Sequence, residues 1–433
     1  MRVKKAGLTG TPLKQGGTLK MLQEKLARSW RQWSLLALTV GLAVTLSMAL
    51  AGEADAQKKT ELVVPRDYPT IQAAVDAAEP GSTIRVLKGA YVEEVVINDD
   101  LTIKGEGAGA TIIKAPTTLT KDFATHLPDG FRLSAVMRIT DGAHVNLSGI
   151  TVAGPIPCKM EVSGIQVLKN ATLNLSDARV TRLRAEGCAS PPEAKGRGVV
   201  YGLPPHIETD DGERGSTAHG TVTNVAVDRY RAAGITVTGP SVAPPDNPDG
   251  FPSTATISHN TITGGADFPI LGQSGIQVVA GAKAQVRQNT VSSNVCIDPR
   301  VPSLCGRDPV NQVQSTGIFV LSGEPGTEIS QNRISDNDVG VYLGVYSEPS
   351  PNCCTISENI LRNNRFFGIV IQDGDGTTSH NTISGGEVGI GVVADLVDTV
   401  GVLRGDKISR TSVQPIQEIE CCGFEATAQV EKD

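Results

Sequence analysis

A short motif recurs along this chain, and few folds accommodate it: Gly, a branched apolar residue, any residue, an apolar residue, then within a few positions an Asn followed at the second place by Ile, Val or Leu. It starts at Gly164-Ile165, Gly234-Ile235, Gly275-Ile276, Gly317-Ile318, Gly340-Val341, Gly368-Ile369 and Gly389-Ile390. From Gly317 onward the starts lie 23, 28 and 21 residues apart, and the wider earlier intervals hold Pro-rich or Cys-containing insertions. Self-similarity at this period belongs to solenoids and arrays, in which each repeat buries its apolar face against the next. Within a repeat the apolar residues alternate, as in Ser274-Gly275-Ile276-Gln277-Val278-Val279, and Gly, Asn, Asp or Ser soon interrupts the alternation. Alternation with frequent turn residues and no helical stripe spells short strands. The regular Leu of leucine-rich repeats and the aromatic signatures of propeller blades are missing. The chain reads as all-β, a right-handed parallel β-helix solenoid of roughly ten coils.

Asn260, Asn289, Asn332, Asn359 and Asn381 hold one position in successive repeats. Asn tolerates the left-handed backbone of a sharp corner, and stacked amides hydrogen-bond from coil to coil, so these residues read as a structural ladder. A solenoid also needs its open end covered. Between Tyr68 and Ala78, the residues Ile71, Ala74, Val75 and Ala78 share one helical face, with Thr70 placed to cap and Pro80-Gly81 to stop it, which predicts an N-terminal capping helix. Strands are expected next at Thr83–Leu87, Val92–Ile97 and Leu101–Lys104. Residues 57–110 then form the cap and first coils, 111–400 the solenoid with its loop insertions, and 401–433 the last coil and C-terminal cap.

Basic residues up to Arg31 precede an apolar run from Leu35 to Ala51, and Ala54-Asp55-Ala56 places small residues where a signal peptidase reads them. Residues 1–56 read as a secretory signal cleaved before Gln57, with Met21 an alternative start. The apolar run is at the short end of what spans a bilayer, so the expected product is secreted or periplasmic and free of the membrane after cleavage. Removing the eight basic and three acidic residues of this segment from the whole-chain totals of 39 and 46 leaves a net charge of −12. Such a surface repels phosphate polymers, and nucleic acid is not an expected partner.

Residues 68–107, through Gly89-Ala90-Tyr91-Val92-Glu93 and Leu101-Thr102-Ile103-Lys104-Gly105-Glu106-Gly107, resemble the N-terminal cap and first coils of the pectin-lyase-like β-helix superfamily. That group includes pectinesterases, pectate lyases, mannuronan epimerases and NosD-like periplasmic proteins. The resemblance implies a fold, and one superfold hosts many functions. It also implies that insertions on one side of the solenoid wall a groove. The longest insertion, residues 182–219, carries the densest polar cluster, and its neighbours at 239–252 and 293–315 are expected to line the same groove.

The stretch Tyr201-Gly202-Leu203-Pro204-Pro205-His206-Ile207-Glu208 resembles the Tyr-Gly-x-Asp-Pro-His-Asp/Glu motif of mannuronan C5-epimerases, which puts Tyr201 and His206 on that family's catalytic tyrosine and histidine. Pro204 stands at the motif's aspartate, an extra residue separates His206 from Glu208, and Thr238 coincides with the next acidic position. Ala218-His219-Gly220 and Asp210-Asp211-Gly212 resemble polygalacturonase signatures, but the acids precede His219 too closely and no Arg-x-Lys follows. Proton abstraction beside a uronate carboxylate needs a base, a cation and an acid. The candidate site residues are therefore Tyr201, His206, Glu208, Asp210, Asp211, Arg214 and His219.

Asp373-Gly374-Asp375-Gly376 alternates oxygen ligands as Ca²⁺ loops do, but lacks their later glutamate and reads as a coil corner. Ca²⁺ is expected only if the substrate is anionic; no other cofactor is. Copper ligation as in NosD-like proteins is unsupported, with Met137 and Met160 the only Met beyond residue 56 and the His scattered. Arg404-Gly405-Asp406 is a tripeptide that chance supplies often. Eight Cys, all beyond residue 56, suit disulfides in an oxidising compartment. Cys158 and Cys188 follow matching strands and are expected to pair, as are Cys296 and Cys305. Cys353-Cys354 and Cys421-Cys422 are adjacent pairs, bridged either to each other across loops or within each pair. Two functions fit. One is an exported protein that binds a polysaccharide, with or without modifying or cleaving it as a lyase, hydrolase, epimerase or esterase. The other is a non-catalytic envelope or surface scaffold.

Overall fold

The computed structural model describes residues 61–432 except 126–131, 159, 187–194, 240–251, 266–271, 298–301, 346–352 and 422–425. The segment expected to be an export signal, Cys188, Cys422 and most of the 239–252 segment lie outside the described residues. Three sheets carry the chain. One has thirteen strands, from Glu61–Val64 to Ala428–Lys432; a second has eleven, from Val95–Ile97 to Gln414–Glu420; a third has eleven short ones, from Gly89–Val92 to Lys407–Ser409. Neighbours in each sheet come from successive turns of the chain and pair in parallel, as Ser274–Val279 does with Ala233–Thr238 and Thr316–Leu321. One turn runs Thr261–Thr263, Ser274–Val279, Lys283–Arg287 before the next opens at Thr290–Ser292, so each turn visits all three sheets. The expected ten or so coils are present.

The repeat motif occupies the second sheet. Its branched residues, Ile165, Ile235, Ile276, Ile318, Val341, Ile369 and Ile390, are wholly buried and stack along the axis. The Gly before each is dictated by the next coil: a Cβ on Gly275 would stand 2.6 Å from the carbonyl oxygen of Gly317, and one on Gly340 would stand 2.5 Å from that of Gly368. The wide interval after Gly164 hides one more member of the series. Gly198-Val199 lies in the strand Lys195–Tyr201, with Val199 paired to both Ile165 and Ile235. The 182–219 segment is therefore not one long insertion but a full coil strand followed by an antiparallel hairpin, Leu203–Glu208 with Arg214–Ser216.

The Asn ladder forms as expected, each amide nitrogen donating to the next Oδ1 at 2.9–3.0 Å from Asn260 to Asn381, and Asp406 accepting from Asn381 at 2.8 Å. The backbone reason differs from the sequence reading. The left-handed residue is the one before each Asn, namely His259, Gln288, Gln331, Glu358 and His380, and the Asn itself is buried. A second ladder, unforeseen, runs from the Tyr230 hydroxyl through Asn294 and Asn337 to Asn364, at 2.6, 2.8 and 3.0 Å.

The capping helix spans Ile71–Ala77, with Thr70 Oγ1 accepting from the Ala73 N–H at 3.1 Å. The expected strand Val92–Ile97 is broken at Glu93-Glu94, which form a corner. Glu93 accepts the N–H groups of Ile71 and Gln72, while the buried Glu94 accepts those of Thr120 and Lys121. The predicted Cys296–Cys305 bridge is present, and Cys353–Cys354 are bridged to each other. Cys158 and Cys421 are also disulfide-bonded.

Candidate functional site

In the second sheet, the free position of the motif points away from the core. Gln166, Val200, Thr236, Gln277, Phe319 and Tyr342 form one in-register row on the outer face. Toward the C-terminal end this row and Val339, Phe367, Val370 and Val388 make an apolar patch on which Val310 of the 302–315 loop packs. Toward the N-terminal end, Leu203 and Ile207 of the hairpin pack with Phe123, Leu133, Ala135 and Leu168. Beside the hairpin the face lies open as a groove of about 610 Å³. It crosses strands from Leu133–Ile139 to Thr316–Leu321, roughly 24 Å at the ~4.8 Å strand spacing.

Amides and hydroxyls line the floor. Ser163 Oγ donates to Gln166 Oε1 at 2.9 Å, and Gln166 Nε2 donates to the carbonyl of Gly202 at 2.8 Å, at the base of the hairpin. Thr236 donates to Gln277 Oε1 at 3.3 Å, and Gln277 Nε2 donates to Ser274 Oγ at 3.3 Å. One edge is ionic: Glu161 is paired with Arg197, with Lys195 at 3.9 Å. Burial pulls the Arg197 guanidinium down to about 10, which leaves it cationic at neutral pH. The walls are apolar, chiefly Leu203, Pro204, Pro205, Ile207, Val279 and Leu321.

A second cavity of about 320 Å³ lies at the hairpin tip and shares Phe123 with the groove. Asp210 and Asp211 of the hairpin face Asp122, Arg138, Asp141 and Lys169 across it. Lys169 is paired with Asp211 and lies 3.4 Å from Asp141, and its hydrogen bond holds the Asp211 carboxyl below its ordinary range.

Comparison with known proteins agrees with this architecture. A family model described as the right handed beta helix region matches residues 214–396. No curated protein sequence matches significantly. Among solved structures, the GH136 lacto-N-biosidase from Eubacterium ramulus is similar with a TM-score of 0.51 at 13% identity, over 80% of this chain and 63% of its own. The Dettilon tailspike protein is similar with a TM-score of 0.50 at 14% identity, over 84% of this chain and 69% of its own. This chain thus spans less than two thirds of the biosidase. The protein is a right-handed parallel β-helix.

The β-helix scatters the sequence candidates. Tyr201 is fully buried inside the solenoid, where its hydroxyl donates to the carbonyl oxygen of Leu173 at 3.0 Å; burial pushes its pKa up, and it lines neither cavity. It alternates inward by strand geometry, whereas His206, on the hairpin, is exposed and lines the groove. Glu208 and Arg214 pair with each other at 2.8 Å across the hairpin, exposed to solvent. Asp210 and Asp211 line the second cavity. His219 is on the first sheet, held by Thr254 at 2.8 Å and Asn170 at 3.1 Å, and its burial lowers its pKa. Of the 293–315 loop, expected at the groove, Val310 packs on the apolar patch, and none of its described residues lines the groove.

The groove residues that sequence reasoning passed over, Gln166, Thr236 and Gln277, occupy the motif's free position. Their signal was available: in a strand buried on one side, the unconstrained slot of a repeat faces outward. Among the described residues, no group of three or more His, Cys, Asp or Glu side chains is placed to hold a metal ion. Asp373, in the sequence that suggested Ca²⁺, accepts the N–H groups of Asp395 and Leu396 at 2.8 Å each, and so serves the coil corner.

Proposed function

We propose that this β-helix protein is exported and binds a glycan chain along the second-sheet groove. The observation that carries this reading is the groove floor, where Gln166, Thr236 and Gln277 share one register row, interrupted by Val200, between apolar walls. A linear polymer with hydroxyls on every unit meets such a row repeatedly, and apolar walls suit the C–H faces of its rings. The fold neighbours, a lacto-N-biosidase and a tailspike, are compatible with it. Ca²⁺ would join only for an acidic glycan.

Binding without chemistry is the form the residues favour. A glycosidase flanks the scissile bond with two carboxyl groups, whereas Glu161 is the one carboxylate among the described groove residues and is neutralised by Arg197. This also suits a surface scaffold. NMR of alginate, pectate, acetylated and neutral polysaccharides, each mixed with the purified protein with and without Ca²⁺, tests the proposal. Line broadening of one polymer that Gln277→Ala weakens is the expected result. New reducing ends, unsaturated ends, altered uronate stereochemistry or released acetate would instead establish catalysis, and an unaffected panel would remove the glycan reading.

A further inference from the structure

The third sheet carries a charge pattern that the groove does not use. In its strands Arg333–Ser335, Ile360–Arg362, Thr382–Ser384 and Lys407–Ser409 the middle residue faces the core, and the first and third face outward. The outward columns read Arg333, Ile360, Thr382, Lys407 and Ser335, Arg362, Ser384, Ser409, in register. Every Lys and Arg between positions 333 and 410 belongs to these strands or to a corner bordering them: Arg333, Arg362, Arg365, Arg404, Lys407 and Arg410. All six are exposed.

Nearer the N-terminal end the same sheet neutralises an exposed cation on the next coil, Arg179 pairing with Asp228 at 2.8 Å. Here the carboxylates are committed elsewhere. Asp338 is buried, 3.7 Å from Arg365, and Asp406 ends the Asn ladder. Glu387 pairs with Arg307 at 3.3 Å, and Glu358 accepts from Gln331 at 2.8 Å. Exposed Asp336, at one corner, stands against Arg333, Arg362, Lys407 and Arg410, whose side chains make no ion pair or hydrogen bond among the described residues. On a chain of formal net charge −7, this face gathers unpaired cations.

The cations are also spaced. Arg333 and Arg362 stand on adjacent coils in opposite columns, roughly 8 Å apart along the diagonal, so two guanidinium groups can close on one anion. The next coil offers the hydroxyls of Thr382 and Ser384, and the one after it brings Lys407, with Arg410 at its corner. A ligand lying along the axis meets charge, hydroxyls and charge again over roughly 14 Å. We infer that this face binds an anionic polysaccharide lengthwise, with its sulfate or carboxylate groups on the two cation clusters and its sugar hydroxyls on Thr382 and Ser384. Duplex DNA suits the face less, because its denser charge is repelled by the acidic remainder of the protein and it has no free hydroxyls to place between the clusters. No bridging metal is needed, since Arg and Lys meet the anions directly. The inference does not rest on the groove reading, the groove being on the second sheet.

Isothermal titration of the purified protein, without Ca²⁺, with heparin, polygalacturonate, dextran and duplex DNA tests this. Heparin or polygalacturonate should bind, dextran should be silent and DNA weaker, and the affinity should fall as salt screens the exposed charges. Which of the two glycans binds tells whether sulfate or carboxylate is read. Arg333→Gln combined with Lys407→Gln, both exposed, should lower the affinity about tenfold or more. Lys104→Gln combined with Lys283→Gln, exposed on the first sheet, should leave it within about twofold. Equal losses in the two pairs would mean that overall charge is read, and would overturn the location. Dextran or DNA binding as tightly as the acidic glycans would overturn the ligand class, and no binding of either acidic glycan would remove the proposal. Gln277→Ala should leave this affinity unchanged. A loss there would place the polymer in the groove and overturn the third-sheet face, whereas a loss confined to the Arg333 and Lys407 pair leaves the groove reading to its own test.

Discussion

Gly317 has no room for a side chain. A Cβ there would stand 2.7 Å from the carbonyl oxygen of Gly340 and 2.7 Å from Ile334 Cγ2, and both belong to packed neighbouring coils. Gly317→Ala is expected to cost about 1–3 kcal/mol, the usual range for overpacking. Gly109→Ala, facing open space, should change stability by less than about 0.5 kcal/mol. Urea unfolding of the two variants checks this, and equal midpoints would refute the packing argument. Charge at single residues gives a second, signed prediction. Buried Asp338 holds both ends of the 296–315 loop, accepting from Cys296 N–H at 2.7 Å and Ser315 N–H at 3.0 Å. Burial raises its pKa, so the folded state holds that proton more tightly than the unfolded one. Its contribution therefore favours folding below its unfolded pKa and fades as pH rises through the higher folded value. Asp211, lowered mainly by its hydrogen bond from Lys169, has the opposite sign: its contribution is present above its unfolded pKa and is lost as pH falls through the folded value. Thermal melts from acid to neutral pH should therefore show Asp338→Asn gaining on the wild type as pH rises and Lys169→Met gaining on it as pH falls. Parallel curves would contradict the assignment.

At the scale of elements, the ladder and the hairpin show what was legible and what was not. The strands and the Asn ladder could be read because their causes are local and recur: alternation sets which side chains enter the core, and each corner repeats the same amide. The second ladder was missed since its Asn294, Asn337 and Asn364 sit in corners of irregular length, so only three turns carry it. Gly198 was missed for a related reason, its Gly-Val start being followed by no Asn before Asn224. Tyr201 was misplaced because a motif comparison ignored the alternation around it: Val199 and Tyr201 face inward, Val200 outward. The groove depends on contacts between segments far apart in sequence, such as Phe123 with the hairpin, and no periodicity records those. The ladder itself invites a test. Asn332 donates to Asn359 and to the carbonyl of Val286 while accepting from both the N–H and the amide of Asn289. Asn332→Ala leaves several of these buried partners unpaired and should cost about 2–4 kcal/mol, each lost partner contributing roughly 1–3 kcal/mol before relaxation. Asn332→Asp should lose part of that at acid pH, where the neutral carboxyl keeps an acceptor and one of the amide's two donors, and more at neutral pH, where the carboxylate has no donor and its charge faces Asn359 Oδ1.

Over the whole molecule, each coil touches chiefly the coils before and after it, so stability is a chain of neighbouring interfaces and the ends are held from one side. The N-terminal end has its helix, with Ile71 and Ala74 buried and Glu93 fixing the first turn. At the other end, Ile408, Ile416 and Val430 of the last strands are only partly buried, and Gln414–Glu420 is an edge strand of its sheet. Amide hydrogen exchange should therefore be slowest around the coils of Ile235 to Val341 and quicken toward Gln414–Glu420, while the strands next to the helix stay protected. The same chain of interfaces makes a central defect visible at a distance. In Asn332→Ala the coils on the two sides keep their own contacts, and only the coupling between them weakens. Exchange should quicken from Ile360 to the C-terminal end more than from Leu101 to Val237, because the C-terminal block has fewer coils and, among its described residues, no helix to hold it. A uniform rise along the chain would mean that the solenoid opens as one cooperative unit, and the nearest-neighbour description of this β-helix would have to be abandoned.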